Sequence, residues 1–113
     1  MHELGVAGEI LDVALSEAAR HAAKKVTSIR LRVGVLRGIE PENLSFLFEH
    51  LARGTPAEGA SLEIVEEPIR VECEACGASE ARSFTCECPR CKGSGIVLTG
   101  GDSLGIVSLE IEA

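Results

Sequence analysis

Residues 27–65 read TSIRLRVGVLRGIEPENLSFLFEHLARGTPAEGASLEIV and decide the fold. Over residues 27–35 apolar and polar side chains alternate, which is typical of a strand with one buried face. Pro41 suits the first position of a helix and Gly54 suits a helix end, so a helix is predicted between them. A second strand is predicted over Ser61–Val65. A strand, a helix and a strand joined by short links form a βαβ unit with a parallel strand pair.

The residues on either side of this unit add a helix and a last strand. Residues 4–23 carry apolar side chains at three- and four-residue steps and are rich in alanine, which predicts an amphipathic helix. Near the end of the chain Val107, Leu109 and Ile111 alternate with polar residues, which predicts a strand with these three on one face. From Glu72 the composition shifts to Cys, Gly and charged residues. This cysteine-rich stretch is predicted to be a module inserted ahead of the last strand.

Two cysteine knuckles lie in the inserted module, CEACG at 73–77 and CPRCKG at 88–93. Each has two cysteines separated by two residues, and two such pairs supply the four thiolates of a tetrahedral zinc site. A redox pair is the alternative, but two pairs favour a metal. Four sulfur ligands close the coordination sphere, so the zinc is predicted to be structural and the module to fold only with metal. The predicted ligands are Cys73, Cys76, Cys88 and Cys91. Cys86 is interpreted as a free thiol in preference to a replacement ligand.

Composition excludes several classes of partner and compartment. The 113 residues suit about one domain. A net charge of -7 with no basic cluster argues against a nucleic-acid or anionic membrane partner. No apolar run approaches the roughly 20 residues that span a bilayer, and no secretory signal is present. Clustered cysteines without a leader indicate a reducing compartment, so a cytoplasmic location is predicted.

The first three residues, MHE, offer a second set of metal donors. The amine of Met1, the backbone nitrogens that follow and the imidazole of His2 can reach one ion together. Ni(II) and Cu(II) prefer such square-planar nitrogen and oxygen sets, and Glu3 adds an oxygen donor. Taken alone, these residues are better explained as an arbitrary sequence start, because chain termini tolerate change.

Taken together, these features resemble the HypA-type nickel metallochaperones over the whole chain. The resemblance rests on MHE, the helix after it, VGVLRGIEPENLSFLFE at 33–49, the two knuckles, and IVLTGGDSLGIVSLEIE at 96–112. This family delivers nickel for maturation of [NiFe]-hydrogenase and, in some organisms, of urease. The resemblance implies an α+β fold with a small three-stranded mixed sheet, two helices and an inserted zinc ribbon. The implied nickel domain comprises residues 1–71 and 97–113, and the implied zinc-ribbon domain comprises residues 72–96.

The resemblance also assigns roles to individual residues. His2 matches the essential nickel ligand of the family, and Glu3 matches an acidic residue that contributes to the nickel site or tunes it. Glu40 occupies a position where some members bring an acidic side chain to the nickel. The four knuckle cysteines match the structural zinc ligands.

The implied activity is transport of Ni2+ as a transient cargo, without catalysis. The implied partners are a nickel-handling maturation GTPase and the hydrogenase large-subunit precursor, and the chain is expected to be a monomer or a weak homodimer. The alternative is a zinc-ribbon adaptor that does not bind nickel. A metal-dependent hydrolase is disfavoured, because no HExxH or nucleophile motif is present and the closed zinc site leaves no catalytic position.

Overall fold

The computed structural model describes residues 3–113, which form two helices, a short 3-10 turn and six strands. In chain order they are α1 (Glu3–Arg20), β1 (Lys25–Gly34), the 3-10 turn (Val35–Arg37), α2 (Pro41–Ala52), β2 (Ser61–Glu67), β3 (Ile69–Cys73), β4 (Gly77–Ala81), β5 (Ile96–Gly100) and β6 (Leu104–Glu112). The strands form two three-stranded sheets. The first sheet has the order β2-β1-β6 and the second has the order β4-β3-β5.

The first sheet is mixed, because its central strand β1 has one parallel and one antiparallel neighbour. β1 runs parallel to β2, with Ile29 opposite Leu62, and antiparallel to β6, with Ile29 opposite Leu109. The helix between β1 and β2 begins at Pro41 and is followed by Gly54 at a φ of +75°. The predicted βαβ unit and the α+β fold are therefore confirmed.

The main core lies between the two helices and one face of the first sheet. Small alanines of α1, such as Ala7 and Ala14, are buried in this core, and α1 packs against α2. The buried residues of this core are Val6, Ala7, Ile10, Leu11, Ala14, Ala18, Val26, Ile29, Leu31, Val33, Leu44, Phe48, Ala52 and Ala57. Arg30 of β1 is exposed and lies 3.0 Å from the Glu63 carboxylate of β2, so this part of the sheet surface is polar.

Helix α1 ends three residues earlier than the predicted helix over residues 4–23. Ala22 adopts the left-handed conformation, with a φ of 52°. The Ala23 N–H donates to the Ala18 carbonyl over 2.8 Å, which closes the helix with the bond pattern of a Schellman motif. The apolar periodicity of the sequence continues past Arg20, but the helical backbone ends there.

Strand β6 contains an irregularity that changes which residues face the core. Arg30 pairs with Ser108 and the next residue, Leu31, pairs with Ile106, so Val107 is the extra residue of a β-bulge. Val107 is consequently 47% exposed. The prediction that it shares the inner face with Leu109 was wrong, because a bulge shifts the alternation by one residue.

The second sheet is antiparallel and contains the cysteine-rich stretch. β3 pairs on one side with β4, through Cys73 opposite Gly77, and on the other with β5, through Cys73 opposite Ile96. Residues 69–71 and 97–100, which the predicted division assigns to the nickel domain, therefore pair with each other in the second sheet. The division into domains itself stays a prediction.

The chain passes between the two sheets twice, from β2 to β3 and from β5 to β6. The Glu67 carboxylate of the first passage binds the backbone of the second. Glu67 Oε1 accepts hydrogen bonds from the Gly101 N–H at 2.9 Å, the Ser103 N–H at 3.3 Å and the Ser103 hydroxyl at 2.8 Å. The Gly34 N–H donates to the Ser103 carbonyl over 2.7 Å. A Cβ at Gly34 would overlap the Gly101 carbonyl, so this close backbone approach requires glycine.

Candidate metal sites

The four predicted zinc ligands are brought to one point of the second sheet. Cys73 ends β3, Cys76 lies in the turn before β4, and the other two come from the knuckle before β5. One sulfur atom from each of Cys73, Cys76, Cys88 and Cys91 lies within 4.8 Å of all the others. Tetrahedral zinc with Zn–S bonds of about 2.3 Å places its sulfur atoms about 3.8 Å apart. The Cys73 and Cys91 sulfur atoms are 3.8 Å apart, so the geometry fits zinc.

Backbone turns around each knuckle aim the sulfur atoms inward. After Cys76 the left-handed position is taken by Gly77, with a φ of +81°. After Cys91 it is taken by Lys92, with a φ of +65°, and not by glycine. Gly93 has another function there, because its N–H donates to Cys91 Sγ over 3.4 Å and a Cβ would lie only 3.3 Å from that sulfur.

The thiols influence one another strongly. Hydrogen bonding to Cys91 and burial raise the pKa of Cys76 to about 12. Backbone N–H groups of Cys91 and Arg90 lower the pKa of Cys88 to about 7. Without a cation, four thiols this close do not ionise together, whereas zinc ligation requires thiolates. A divalent cation resolves this conflict.

Cys86 lies outside the sulfur cluster. It is exposed and is not among the residues whose ligand atoms converge, although Cys88 is only two positions away and is fully buried. The two knuckles are joined by Arg90, whose Nη1 donates to the Cys76 carbonyl over 3.2 Å. The interpretation of Cys86 as a residue apart from the four ligands agrees with this placement.

The predicted nickel ligands fall partly outside the described residues. Met1 and His2 are not among residues 3–113, so their positions are not part of the site geometry. Glu3 begins α1 and Glu40 precedes α2, and the two are brought together. The Glu40 N–H donates to Glu3 Oε2 over 3.2 Å. Two of the four residues proposed from the sequence therefore meet where the two helices begin.

Glu3 is held as a carboxylate by the groups around it. The backbone N–H groups of Glu40 and of Glu3 itself lower the pKa of the Glu3 carboxyl below its usual range. The Asn43 side chain adds a further hydrogen bond, from Nδ2 to Glu3 Oε1 over 3.1 Å. The Glu40 carboxylate is exposed and accepts no hydrogen bond from residues 3–113. The Glu3 carboxylate is therefore hydrogen-bonded through both oxygens at the start of α2, next to an exposed Glu40 side chain.

Comparison with known proteins assigns the chain to a family. The sequence model of the family described as "Hydrogenase/urease nickel incorporation, metallochaperone, hypA" matches residues 1–111. The chain belongs to the HypA family. Hydrogenase maturation factor HypA of Azotobacter chroococcum is 41% identical over 113 residues, which cover 99% of this chain and 100% of the relative. The HypA of Chlorobaculum parvum is 39% identical with the same coverage.

A solved structure supports the fold assignment. The solution structure of the Ni metallochaperone HypA from Helicobacter pylori superposes with a TM-score of 0.66 at 22% identity. The superposition covers 100% of this chain and 99% of that one. The two chains therefore share a HypA fold over their whole length.

Family membership and the sulfur cluster settle the two metals at a general level. The HypA family and a site of four cysteines support a structural zinc ion and nickel as a transient cargo. HypA proteins are nickel-incorporation metallochaperones, which is consistent with a function without catalysis. Among residues 3–113, no helix is long and apolar enough to cross a membrane.

Sequence reasoning missed one residue at the place where the two helices begin, Asn43. It occupies the third position of α2, where a side chain commonly bonds back to the start of its own helix. The Asn43 amide contacts Glu3 of the other helix instead. The stretch GIEPEN indicated the start of a helix, but nothing in it showed that a residue 40 positions earlier in the chain would complete the cap.

Proposed function

We propose that this HypA protein binds Ni(II) at its N-terminus and delivers it during maturation of [NiFe]-hydrogenase. The proposed ligands are the Met1 amine, the backbone nitrogens after it and the His2 imidazole, with carboxylate oxygens of Glu3 and Glu40 close by. The observation that carries the proposal is the meeting of Glu3 and Glu40 at the beginnings of α1 and α2. In a chain of a nickel-incorporation family, this corner is adjacent in sequence to the residue best suited to ligate nickel.

The contrast between the two sites supports a cargo role for nickel. The sulfur cluster has four protein ligands, two of them buried, so a zinc ion there is enclosed. A terminal chelate beside the half-buried Glu3 and the exposed Glu40 offers solvent or a partner a route to displace its ligands. A carrier requires such a site, because the ion must leave after delivery.

The proposed partners are a nickel-handling maturation GTPase, which would receive or help transfer the ion, and the hydrogenase large-subunit precursor. The name of the matching family model includes urease, which is the second recipient to test. A cytoplasmic location and a monomeric or weakly dimeric state are part of the same proposal.

The test is calorimetric titration of Ni(II) into the zinc-loaded protein and into the His2→Ala variant. We expect the variant to lose at least about tenfold in nickel affinity, because it loses the imidazole ligand. His21→Ala and His50→Ala are matched controls, since both histidines are exposed. His21 follows the last residue of α1, and His50 lies in the last turn of α2. Equal nickel affinity in wild type and His2→Ala would contradict the proposal and leave the zinc-ribbon adaptor.

Acidification gives a second test of the same ligand. Imidazole ligates nickel only when neutral, and its reference pKa is about 6.5. Nickel affinity should therefore fall as the pH drops below about 6.5, and this part of the fall should be absent from His2→Ala. A wild-type isotherm that does not change between pH 7.5 and pH 5.5, values roughly one unit either side of that pKa, would argue against His2.

A further inference from the structure

The start of α2 is capped by a residue from α1. Glu40 is the N-cap residue of α2, with extended backbone angles (φ -84°, ψ 115°), and its own side chain makes no capping hydrogen bond. In a capping box the third helical residue accepts the N-cap N–H. Here the Glu3 carboxylate accepts that N–H over 3.2 Å. The Glu40 N–H at the start of α2 is thus satisfied by a group that comes from the beginning of the chain.

Asn43 completes this arrangement by holding the second oxygen of the same carboxylate. Its Nδ2 donates to Glu3 Oε1 over 3.1 Å, while the Glu40 N–H takes Oε2. Two donors at the start of α2 therefore bind the two oxygens of one side chain. Hydrogen bonds to a charged acceptor are stronger than neutral ones, and two together fix the orientation of the carboxylate.

We infer that Asn43 is a positioning residue for nickel capture: with the Glu40 amide it clips Glu3 to α2 and so fixes where the residues before Glu3 begin. The inference rests on the proposed function. Glu3 directly follows His2 in sequence, so a fixed Glu3 limits the positions open to the Met1 amine and the imidazole. A chelate whose donors are held in place loses less conformational entropy when it binds, and its affinity is higher for that reason.

A purely helical role for Asn43 makes the opposite prediction for one substitution. Aspartate in the first turn of a helix is favourable, because it interacts with the positive end of the helix dipole. Asn43→Asp should therefore leave α2 as stable as before or more stable. The same substitution removes the Nδ2 donor and places a second negative charge against Glu3. The two hydrogen bonds that hold Glu3 against α2, which we call the Glu3 clip, are then weakened although the helix itself is not.

The experiment measures nickel binding and amide exchange on the same set of proteins, all zinc-loaded. The set is wild type, Asn43→Asp, Asn43→Ala, the double variant Glu3→Gln/Asn43→Asp, and Glu42→Gln as the control. Glu42 lies in the same turn and makes no hydrogen bond to Glu3. Ni(II) alone is titrated, and hydrogen exchange of the Glu40 amide is followed by NMR on the nickel-free protein.

We expect Asn43→Ala to lose about three- to tenfold in nickel affinity, the effect of one hydrogen bond of ordinary strength. Asn43→Asp should lose less, because its new carboxylate also attracts the cation, and Glu42→Gln should bind as wild type does. The Glu40 amide should exchange faster in both single variants at position 43. In Glu3→Gln/Asn43→Asp it should regain protection, because the glutamine carbonyl accepts the Glu40 N–H while its amide donates to the new carboxylate at position 43. The midpoint temperature of thermal unfolding of Asn43→Asp should be no lower than that of wild type.

Two results would overturn the inference. One is nickel affinity in Asn43→Ala equal to that of wild type, and the other is a Glu40 amide whose protection is unchanged by that substitution. Failure of the proposed function gives a different pattern, in which wild type and His2→Ala bind nickel equally. In that case the Glu40 amide still reports whether the clip exists, so the two failures are distinguishable.

Discussion

Cys86 and Cys88 are two positions apart but differ in burial and in their position relative to the sulfur cluster. Cys88 is fully buried, accepts a backbone N–H from Arg90 at 3.4 Å and has its pKa lowered to about 7. Cys86 is exposed and outside the sulfur cluster. The Thr85 hydroxyl donates to the Glu87 carbonyl over 3.0 Å, so residues 85–87 form a local turn that contains Cys86.

Serine substitutions at these two positions should therefore have opposite results. Cys88→Ser removes a zinc ligand and should reduce the metal content from one zinc per chain to a small fraction of that, with loss of the second sheet. Cys86→Ser should retain its zinc and its thermal stability. Metal analysis of the purified proteins by mass spectrometry measures the difference. Loss of zinc from Cys86→Ser would show that Cys86 belongs to the coordination shell.

Glu67 is the other residue whose individual chemistry is evident. Hydrogen bonds from the Ser103 hydroxyl, and then from the Ser103 and Gly101 N–H groups, lower the pKa of the Glu67 carboxyl, and the charge of Arg32 adds to this. A carboxyl with a lowered pKa in the folded state stabilises the fold above its unfolded pKa. This contribution is lost as the pH falls through the folded value.

A comparison of Glu67→Gln with wild type should show this loss of stability on acidification. The wild type should be more stable at pH 7, and the difference in the free energy of unfolding should shrink as the pH is stepped down through about 4.3, the reference pKa of glutamate. Denaturant unfolding of both proteins at each pH gives the difference. Glu66→Gln is the control, because Glu66 is exposed and forms none of these bonds. A difference that grows on acidification would contradict the assigned role.

At the scale of elements, the backbone crossing at the end of β1 is more sensitive to added volume than the strand across the sheet. A Cβ at Gly34 would overlap the Gly101 carbonyl, whereas a Cβ at Gly105 of β6 would have no atom within 4 Å. Neither glycine has a positive φ. The two positions therefore separate the effect of space from that of backbone conformation.

Alanine substitutions at these two glycines should diverge. Gly34→Ala should lower the free energy of unfolding by about 1–3 kcal/mol or more, because backbone atoms have to move to admit the methyl group. Gly105→Ala should be neutral or should raise it by about 0.5–1 kcal/mol, since alanine loses less backbone entropy than glycine on folding. Chemical denaturation measures both. Similar values for the two variants would mean that the crossing is not closely packed.

Residue patterns predicted the elements better than their pairing. The alternation in residues 27–35 and the stop at Gly54 are local properties, and both elements formed as predicted. The bulge at Val107 and the pairing of β3 with β5 depend on strands far apart in sequence. No local periodicity encodes a register, and the predicted inner face of β6 was wrong at Val107 for that reason.

The candidate sites divide in the same way. Cysteine spacing within each knuckle is local and predicted the four sulfur ligands that converge. Glu3 and Glu40 were proposed separately from the family resemblance, and the contact between them arises only when α1 packs on α2. Asn43 was missed because its partner lies on the other helix.

At the scale of the whole molecule, the two sheets have very different cores. Within residues 3–113, helices α1 and α2 and the first sheet share one buried cluster of 14 residues. The buried hydrophobic residues of the second sheet and its knuckles are Ile69, Val71, Cys73 and Cys88, and two of these four are metal ligands. The second sheet therefore depends on metal for its stability far more than the first does.

Removal of zinc with a strong chelator should consequently unfold one part of the molecule. Amides of residues 69–100 should lose protection from hydrogen exchange, because the knuckles no longer hold the second sheet. The helical circular dichroism should remain, since both helices belong to the first core. Re-addition of zinc should restore protection. Loss of the helical signal together with zinc would show that the two cores fold as one unit.

X-ray absorption at the zinc and nickel edges of one nickel-loaded sample tests the separation of the two metals most directly. We predict four sulfur ligands at about 2.3 Å around zinc, and only nitrogen and oxygen ligands around nickel. In His2→Ala the zinc spectrum should be unchanged and the imidazole contribution to the nickel spectrum should be lost. Sulfur ligands on nickel, or a nickel spectrum that does not change in His2→Ala, would contradict a nickel site at the N-terminus.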